Sequence, residues 1–251
     1  MVDIFISFFN IVLYQPLFNG LIVLYQYLPG NDFGIAVIVL TILIRLALYP
    51  LGVKGIKIQK TMSELQPKIK EIQEKFKDNK QEQAKATMEL FQKEKINPFS
   101  GCLPILVQLP ILIALYRVFW KGLQPEQLVY IYSFIPSPEA INPYFLGIIN
   151  LAEPCIFLAF LAGILQFFQT KIISPKKQKN KKTISKSKNK DQMAGLQDMM
   201  SKQTLYFFPI FTVIILWTMP SAIGLYWIVF TLFAIIQQYL ILKPKHQIYK
   251  H

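Results

Sequence analysis

Five long apolar runs divide the chain and constrain its fold more than any other feature. They cover residues 33–51, 102–120, 154–173, 205–219 and 222–242. About 20 apolar residues are enough to cross the hydrocarbon core of a bilayer as a helix. The fourth run is shorter, but Tyr206 and Trp217 near its ends suit the aromatic anchors of a membrane interface. The sequence predicts an all-α polytopic membrane protein with five transmembrane helices.

Composition agrees with this class. Hydrophobic residues make up 53 % of the chain and charged residues only 16 %, against about 25 % charged residues in soluble domains. The net charge is nevertheless +13, so the positive residues must be concentrated in a few segments. Cys102 and Cys155 are too few for a disulfide framework, and we expect no pairing between them.

Lysine is distributed unevenly among the connections between the runs. Residues 1–44 contain neither Lys nor Arg, whereas there are 11 lysines in 52–97, one in 121–153, 10 in 171–203 and three in 243–251. Lysine-rich and lysine-poor connections therefore alternate along the chain. Because connections rich in Lys and Arg face the cytoplasm, the sequence predicts an outside N-terminus and a cytoplasmic C-terminus.

Residues 4–28 are apolar enough for a sixth span, but two features favour another placement. Gln15, Asn19 and Gln26 fall on one helical face, and Pro16 interrupts the backbone. A one-sided polar stripe is typical of a helix that lies in the membrane interface. We predict that residues 1–32 form an extracytoplasmic interfacial helix, with a true span as the alternative.

The connection 56–96 predicts a helical hairpin. One apolar stripe with alternating spacings of three and four is formed by Met62, Leu65, Ile69, Ile72 and Phe76. A break follows at Asp78-Asn79, and Met88 and Phe91 begin a second stripe. The hairpin is either a docking surface or a spacer between spans.

The connection 174–203 is a basic loop of different character. Its part 174–192 has one aliphatic residue, Ile184, and no aromatic residue, so we predict disorder. Such a strip binds anionic lipid head groups or RNA by neutralising phosphates, or it serves only as a topology signal. The tail 243–251 repeats the pattern weakly. The candidate contact residues are Lys176, Lys177, Lys179, Lys181 and Lys182.

Arg45 lies inside the first apolar run, where a charge costs about 3 kcal/mol on insertion scales. It either snorkels to the nearby boundary or faces water, a partner or a cargo. Other polar residues inside the runs make helix–helix hydrogen bonds, or line a water-filled groove together with Arg45. They are Thr41, Gln108, Gln166, Gln169, Thr218, Ser221, Thr231, Gln237 and Gln238.

Sequence signals for catalysis are missing, so we predict that the protein is not an enzyme. The two histidines, His246 and His251, both lie in the tail, which excludes an H-E-x-x-H metal site. Paired carboxylates inside the runs and a glycine-rich phosphate loop are also absent from the sequence. We expect neither a metal nor a cofactor.

Several motifs resemble those of YidC-type membrane insertases of the Oxa/Alb/YidC family. They occur in order between about residues 15 and 242, at consistent spacing. The motifs are residues 40–46 (Leu-Thr-Ile-Leu-Ile-Arg-Leu), Tyr49-Pro50-Leu51, Gln66-Pro67-Lys68, Asn97-Pro98, Gly101-Cys102-Leu103-Pro104 with Gln108 and Pro110, Pro220, Leu225-Tyr226-Trp227 and Ile235-Ile236-Gln237-Gln238. Two residues depart from the family pattern: Ala222 stands where a glycine is commoner, and Thr231 stands where the family often has Asn. Both departures affect the expected packing of the last span.

The resemblance implies a short-form insertase without a large extracytoplasmic domain, located in the bacterial plasma membrane. It implies a monomeric five-helix bundle whose hydrophilic groove opens to the cytoplasm and to lipid. The groove would bind nascent membrane proteins through Arg45, Thr41, Gln108, Gln166, Gln169, Trp217 and Gln237. Further implied partners are the ribosome and anionic lipids, whereas cooperation with a Sec translocon is left open. The alternative function is a small transporter or anion channel that uses Arg45.

Overall fold

Helices form most of the protein. The computed structural model describes residues 2–95, 97, 103–121, 125–138, 140–173 and 191–242. The nine α-helices in these residues are α1 (Val2–Phe9), α2 (Gln15–Tyr27), α3 (Phe33–Ala47), α4 (Tyr49–Lys75), α5 (Lys80–Lys93), α6 (Leu103–Lys121), α7 (Ile156–Ile173), α8 (Asp191–Thr218) and α9 (Ser221–Leu242). A two-residue antiparallel pair, β1 (Tyr144–Phe145) with β2 (Ile149–Asn150), was not predicted. A 3₁₀ turn, Pro125–Tyr130, follows α6.

The apolar helices confirm a multi-pass α-helical membrane protein. Among the described residues, three helices are long and apolar enough to cross a membrane, namely Ile6–Tyr27, Ile156–Ile173 and Ser221–Leu242. The bent pair of α3 and α4 is a fourth candidate, and α6 and α8 contain the shorter apolar helices Leu106–Trp120 and Leu205–Thr218. The number of five spans remains a prediction.

The first predicted run, 33–51, is not one straight helix. The axis turns by 69° between α3 and α4, at Leu48, whose backbone is not helical (φ −88°, ψ 4°). Pro50 lies in the first turn of α4, where the missing N–H is not needed for a helical hydrogen bond. The bend directs α4 away from α3, so that Arg45 lies in the last turn before it.

The N-terminal segment stays helical on both sides of Pro16, which lies in the first turn of α2 and, contrary to the prediction, does not interrupt the backbone. A π-helical turn, Asn10–Tyr14, joins α1 to α2, and the Gln15 N–H donates to the Asn10 carbonyl. Asn19 is buried: its Nδ2 donates to the Tyr130 carbonyl, and its Oδ1 accepts from the Tyr132 N–H. The polar stripe therefore packs against the segment after α6, at least at Asn19. The interfacial placement of residues 4–28 remains a prediction, with a membrane span as its alternative.

Helices α4 and α5 pack side by side. Asn79 begins α5 as its N-cap, since its Oδ1 accepts from the Gln81 and Glu82 N–H groups. Leu65 and Phe91 from the two predicted stripes are buried, whereas Met88 is 48 % exposed. The Lys68 Nζ and the Glu94 Oε1 lie 2.6 Å apart and tie the two helices together.

Helix α7 packs closely on α8 and α9. A Cβ atom at Gly163 would lie 3.2 Å from the Pro209 carbonyl and would overlap Val213 of α8, so a glycine allows this close approach. At the start of α9, the Ser221 N–H donates to the Glu153 carbonyl and its Oγ donates to the Asn150 carbonyl. These bonds fix the turn between α8 and α9 against the end of the small β-pair.

Helix α8 begins earlier than the fourth run predicts. Its backbone is helical from Asp191, so residues 191–203 of the predicted basic loop belong to a helix, and the predicted disorder does not extend to 192. Residues 174–190, which include Lys176, Lys177, Lys179, Lys181 and Lys182, lie outside the described residues. The tail 243–251 does so as well.

Candidate functional site

A cavity of about 290 Å³ lies between five helices. It is bounded by residues of α3, α4, α6, α7 and α9, and its volume is near the lower end for small-ligand pockets. Apolar walls come from Ile56, Leu109, Leu112, Trp227 and Phe230. The polar side chains that line it are Arg45, Gln59, Gln108, Gln169, Gln237 and Gln238.

Arg45 is the one cation among the lining residues. Its Nη2 donates to the Phe230 carbonyl over 2.9 Å, and its guanidinium carbon lies 3.5 Å from the centre of the Phe230 ring. Its Nε is buried without a hydrogen-bond partner. The ion pairs Lys60–Glu64 and Lys68–Glu94 do not involve Arg45, and no described carboxylate lies within ion-pair distance of its guanidinium. The charge is held by an aromatic ring and a carbonyl, and one donor is left unpaired.

One face of α9 forms a wall of the cavity. Phe230, Ala234, Gln237 and Gln238 line it, at spacings that bring residues to one side of a helix. The Gln237 Nε2 donates to the Tyr49 carbonyl at the start of α4. Gln238 is 2 % exposed, and its Oε1 has no hydrogen-bond partner.

Gly52 lets α4 come close to this wall. A Cβ atom at this position would lie 2.8 Å from the Gln237 Nε2 and 2.9 Å from its Oε1, which is closer than real Cβ contacts. The base of α4 is therefore part of the cavity wall, and it is joined to α9 by the hydrogen bond from Gln237.

Four of the residues predicted for the groove line this cavity, namely Arg45, Gln108, Gln169 and Gln237. The Gln108 Nε2 donates to the Tyr226 hydroxyl across the interface of α6 and α9.

The other three predicted groove residues do not line the cavity. The Gln166 Oε1 accepts from the Thr212 hydroxyl and from the Trp227 Nε1, each over 2.8 Å, and so joins α7 to α8 and α9. The Thr41 hydroxyl is buried and donates to the Val37 carbonyl. Trp217 is 53 % exposed near the end of α8.

Sequence reasoning did not place Gln59 or Trp227 at the site, and it named Gln238 only among the polar residues that either make helix–helix hydrogen bonds or line a groove with Arg45. Trp227 and Gln238 belong to motifs that the sequence analysis singled out, but those motifs carry no information about the direction of each side chain. A stripe drawn on α9 from Phe230 through Ala234 would have included Gln238.

The second arginine of the apolar helices, Arg117, does not line the cavity. Its Nη1 donates to the Asn10 Oδ1 over 2.8 Å, and its guanidinium carbon lies 4.7 Å from the centre of the Tyr14 ring. The Tyr14 hydroxyl donates to the Gln127 Oε1. We call these four residues the Arg117 cluster; it joins α6 to the N-terminal helices and to the turn after α6.

Comparison with known proteins gives consistent matches over most of the chain. A family model described as "60Kd inner membrane protein" matches residues 23–248. A membrane protein insertase YidC of Fusobacterium nucleatum is 36 % identical over 213 residues, which are 85 % of this chain and 87 % of that protein. The one of Oceanobacillus iheyensis is 36 % identical over 219 residues, 86 % of this chain and 76 % of the relative. The membrane protein insertase YidC 2 of Listeria innocua is 34 % identical over 220 residues, 86 % and 66 % of the two chains.

Proposed function

The chain belongs to the YidC family of membrane protein insertases, and we propose that its Arg45 cavity receives polar parts of nascent membrane proteins as they leave the cytoplasm. It is a multi-pass bacterial membrane protein that inserts membrane proteins, as the sequence resemblance predicts. The alternative of a transporter or anion channel has no support from these relatives.

The state of Arg45 is the observation that carries the mechanism. The guanidinium has no described carboxylate beside it, and its Nε is unpaired inside a cavity lined by amides. A client segment that bears Asp or Glu must leave bulk water, and a fixed positive charge lowers that barrier. Two unit charges about 4 Å apart attract by about 1 kcal/mol in water and about 4 kcal/mol at an effective dielectric constant near 20.

The experiment that tests this role varies the client as well as the arginine. One client is made with zero, one or two Asp residues in its outer segment, and its insertion is measured with wild-type protein, Arg45→Lys and Arg45→Ala. We expect Arg45→Lys to keep much of the activity, and Arg45→Ala to lose more as client acidity rises. An equal loss for all three clients at normal protein level would indicate a purely structural arginine.

For the topology we propose five spans, built from α3, α6, α7, α8 and α9, with α4 and α5 as a cytoplasmic hairpin. The alternation of lysine-rich and lysine-poor connections supports an outside N-terminus and a cytoplasmic C-terminus. We further propose that the N-terminal helices lie in the outer interface. Single cysteines at positions 3, 30, 80, 140 and 185, in a protein lacking Cys102 and Cys155, test this arrangement: a membrane-impermeant thiol reagent should label 3, 30 and 140 from outside only.

We also propose that the basic loop contacts the ribosome or anionic lipids while the protein acts as a monomer. The net charge of +13 and the ten lysines within 171–203 support this role. Replacing Lys176, Lys177, Lys179, Lys181 and Lys182 by Gln should weaken ribosome co-sedimentation and make it less dependent on salt, because fewer lysines neutralise phosphates. Unchanged binding across the salt series would reduce the loop to a topology signal. Cooperation with a Sec translocon would be detected by co-purification.

A further inference from the structure

The polar lining of the cavity is almost entirely carboxamide. Gln59, Gln108, Gln169, Gln237 and Gln238 contribute amides, and no Asp or Glu is among the lining residues. A carboxamide carries two N–H donors and one carbonyl acceptor, whereas a carboxylate only accepts and an ammonium only donates. Apart from Arg45, the cavity is therefore suited to a neutral group that both donates and accepts hydrogen bonds.

Gln238 is the lining amide with a buried atom that lacks a hydrogen-bond partner. Its side chain is 98 % buried, yet its Oε1 has no partner, an unfavourable state for a polar atom away from water. Turning the amide by half a rotation would exchange the oxygen for the NH₂ group, so the position that lacks a partner is an acceptor in one orientation and a donor in the other. Its neighbour Gln237, in contrast, donates to the Tyr49 carbonyl.

Gln238 is also distinct from the place where Arg45 is held. The Arg45 guanidinium contacts Phe230 and lies 5.7 Å from the centre of the Phe233 ring, and the five residues from Phe233 to Gln238 correspond to about 7.5 Å along a helix axis. A small group next to Gln238 is therefore not required to touch the guanidinium. The cavity has a charged end at Arg45 and a neutral end at Gln238.

We propose that Gln238 pairs with amide groups of the client, either a peptide unit of its backbone or the side chain of an Asn or Gln. An amide offers a donor and an acceptor side by side, and two amides facing each other satisfy both. A client carboxylate would place a second acceptor against the Gln238 oxygen, and a hydrocarbon group would leave that oxygen unpaired. The inference rests on the proposed function, since it names the client group that the same cavity binds.

A nascent segment has a reason to need such pairing. Peptide groups that are not yet in a helix cannot enter lipid without a hydrogen-bond partner. An amide wall would pair with them temporarily while the segment forms its own helical bonds. Recognition of the backbone would not depend on client sequence, which suits a protein that accepts many clients.

The experiment uses the full-length protein in liposomes and three versions of one single-span client, with Ala, Asn or Asp at the same position. Insertion rates are compared for wild type, Gln238→Leu, Gln238→Asn and the control Leu240→Ala, whose leucine is exposed on α9. We expect Gln238→Leu to slow insertion about 3- to 10-fold, as for the loss of one hydrogen bond. Gln238→Asn should restore part of the rate, and Leu240→Ala should match wild type.

The pattern over clients identifies the source of the amide. Equal slowing of all three clients indicates backbone pairing, and slowing of the Asn client alone indicates side-chain pairing. Unchanged rates, or slowing of the Asp client alone, would overturn the proposal while leaving the proposed function intact. Failure of the wild-type protein to insert any version would overturn the proposed function itself.

Thermal unfolding separates a binding role from a structural one. Because Gln238→Leu removes a buried polar atom that lacks a partner, its melting temperature should equal or exceed that of wild type, even though its insertion is slower. A lower melting temperature, with no rescue by Gln238→Asn, would mean that Gln238 holds the fold, and the proposal would then be wrong.

Discussion

Arg117 and Arg45 lie in neighbouring apolar helices, but their surroundings differ. The Arg117 guanidinium donates to the Asn10 side chain and lies over the Tyr14 ring, whose hydroxyl is paired in turn with Gln127. The Arg45 guanidinium lies against Phe230 and has an unpaired Nε beside a cavity. The same residue type is paired with a polar side chain in one region and leaves one buried donor unpaired in the other.

The difference extends beyond the two arginines. Around the Arg117 cluster, Asn19 has partners for both its amide atoms, and the Tyr25 hydroxyl accepts from the Asn142 N–H. Two buried side-chain atoms lack a hydrogen-bond partner among the described residues, namely Arg45 Nε and Gln238 Oε1. Both belong to residues that line the Arg45 cavity. Buried polar groups in proteins are normally paired. In our proposal, these two exceptions mark the region where a client binds.

The largest expected effect is on stability, and it comes from replacing one glycine in each region by alanine. A Cβ at Gly34 would overlap two ring atoms of Phe145 and lie 2.7 Å from its Cβ, whereas the atoms nearest to a Cβ at Gly52 belong to the movable end of Gln237. Overpacking costs about 1–3 kcal/mol, so Gly34→Ala should destabilise the protein by about 2 kcal/mol. Gly52→Ala should change its stability little, because about 1 kcal/mol of helix propensity offsets the weakened bond to Tyr49. Thermal unfolding in detergent measures both. An equal loss of stability in the two variants would contradict the proposed difference between the regions.

The next prediction compares the arginines directly. Arg117→Leu leaves the Asn10 Oδ1 without its donor and should lower the free energy of unfolding by about 1–3 kcal/mol. Arg45→Leu removes a guanidinium whose Nε is already unpaired, so stability should change less while insertion of acidic clients is lost. Measurement of unfolding and insertion on both variants checks this crossed pattern. Retained stability in Arg117→Leu would show that the Arg117 cluster is not a structural joint.

A smaller effect is expected within the Arg117 cluster. Tyr14→Phe removes the hydroxyl that donates to Gln127 over 2.7 Å, while the ring and its contact with Arg117 remain. One neutral hydrogen bond contributes about 1 kcal/mol, so the melting temperature should fall by a few degrees without a change in insertion. Tyr27→Phe, whose side chain is 75 % exposed at the end of α2, is the matched control. A change in insertion rate by Tyr14→Phe alone would connect this cluster to function.

The smallest effect concerns the ion pair between α4 and α5. The hydrogen bond and charge of Lys68 lower the pKa of Glu94 below its ordinary value. Because the folded-state pKa is lowered, the pair stabilises the contact above the ordinary Glu pKa of about 4.3, and this contribution is lost as pH falls through the folded value. Protease should therefore cleave the hairpin of Glu94→Gln faster than that of wild type at pH 7. At acidic pH the two proteins should be cleaved alike; a difference that persists there would exclude the ion pair as its cause.

Sequence periodicity predicted the apolar stripes of the hairpin, but it did not predict the burial of every residue in them. Leu65 and Phe91 are buried as predicted, but Met88 is exposed, so only part of the apolar face of α5 is covered. The polar stripe on the N-terminal helix was predicted from the spacing of Asn19 and its neighbours. Its hydrogen bonds to Tyr130 and Tyr132 were not predictable, since they join residues more than a hundred positions apart.

The amino-acid sequence by itself determined the helical membrane class, the family and the presence of a charge at Arg45. These are local properties: a stretch of about 20 apolar residues needs no other part of the chain to favour a bilayer. Only the tertiary structure decided that the helix axis bends at Leu48 and that Gln237 donates a hydrogen bond to the start of α4. It also decided that the Gln238 Oε1 is buried without a partner. Two adjacent residues of a helix point about 100° apart, and the environment that each one meets is set by helices far away in the sequence.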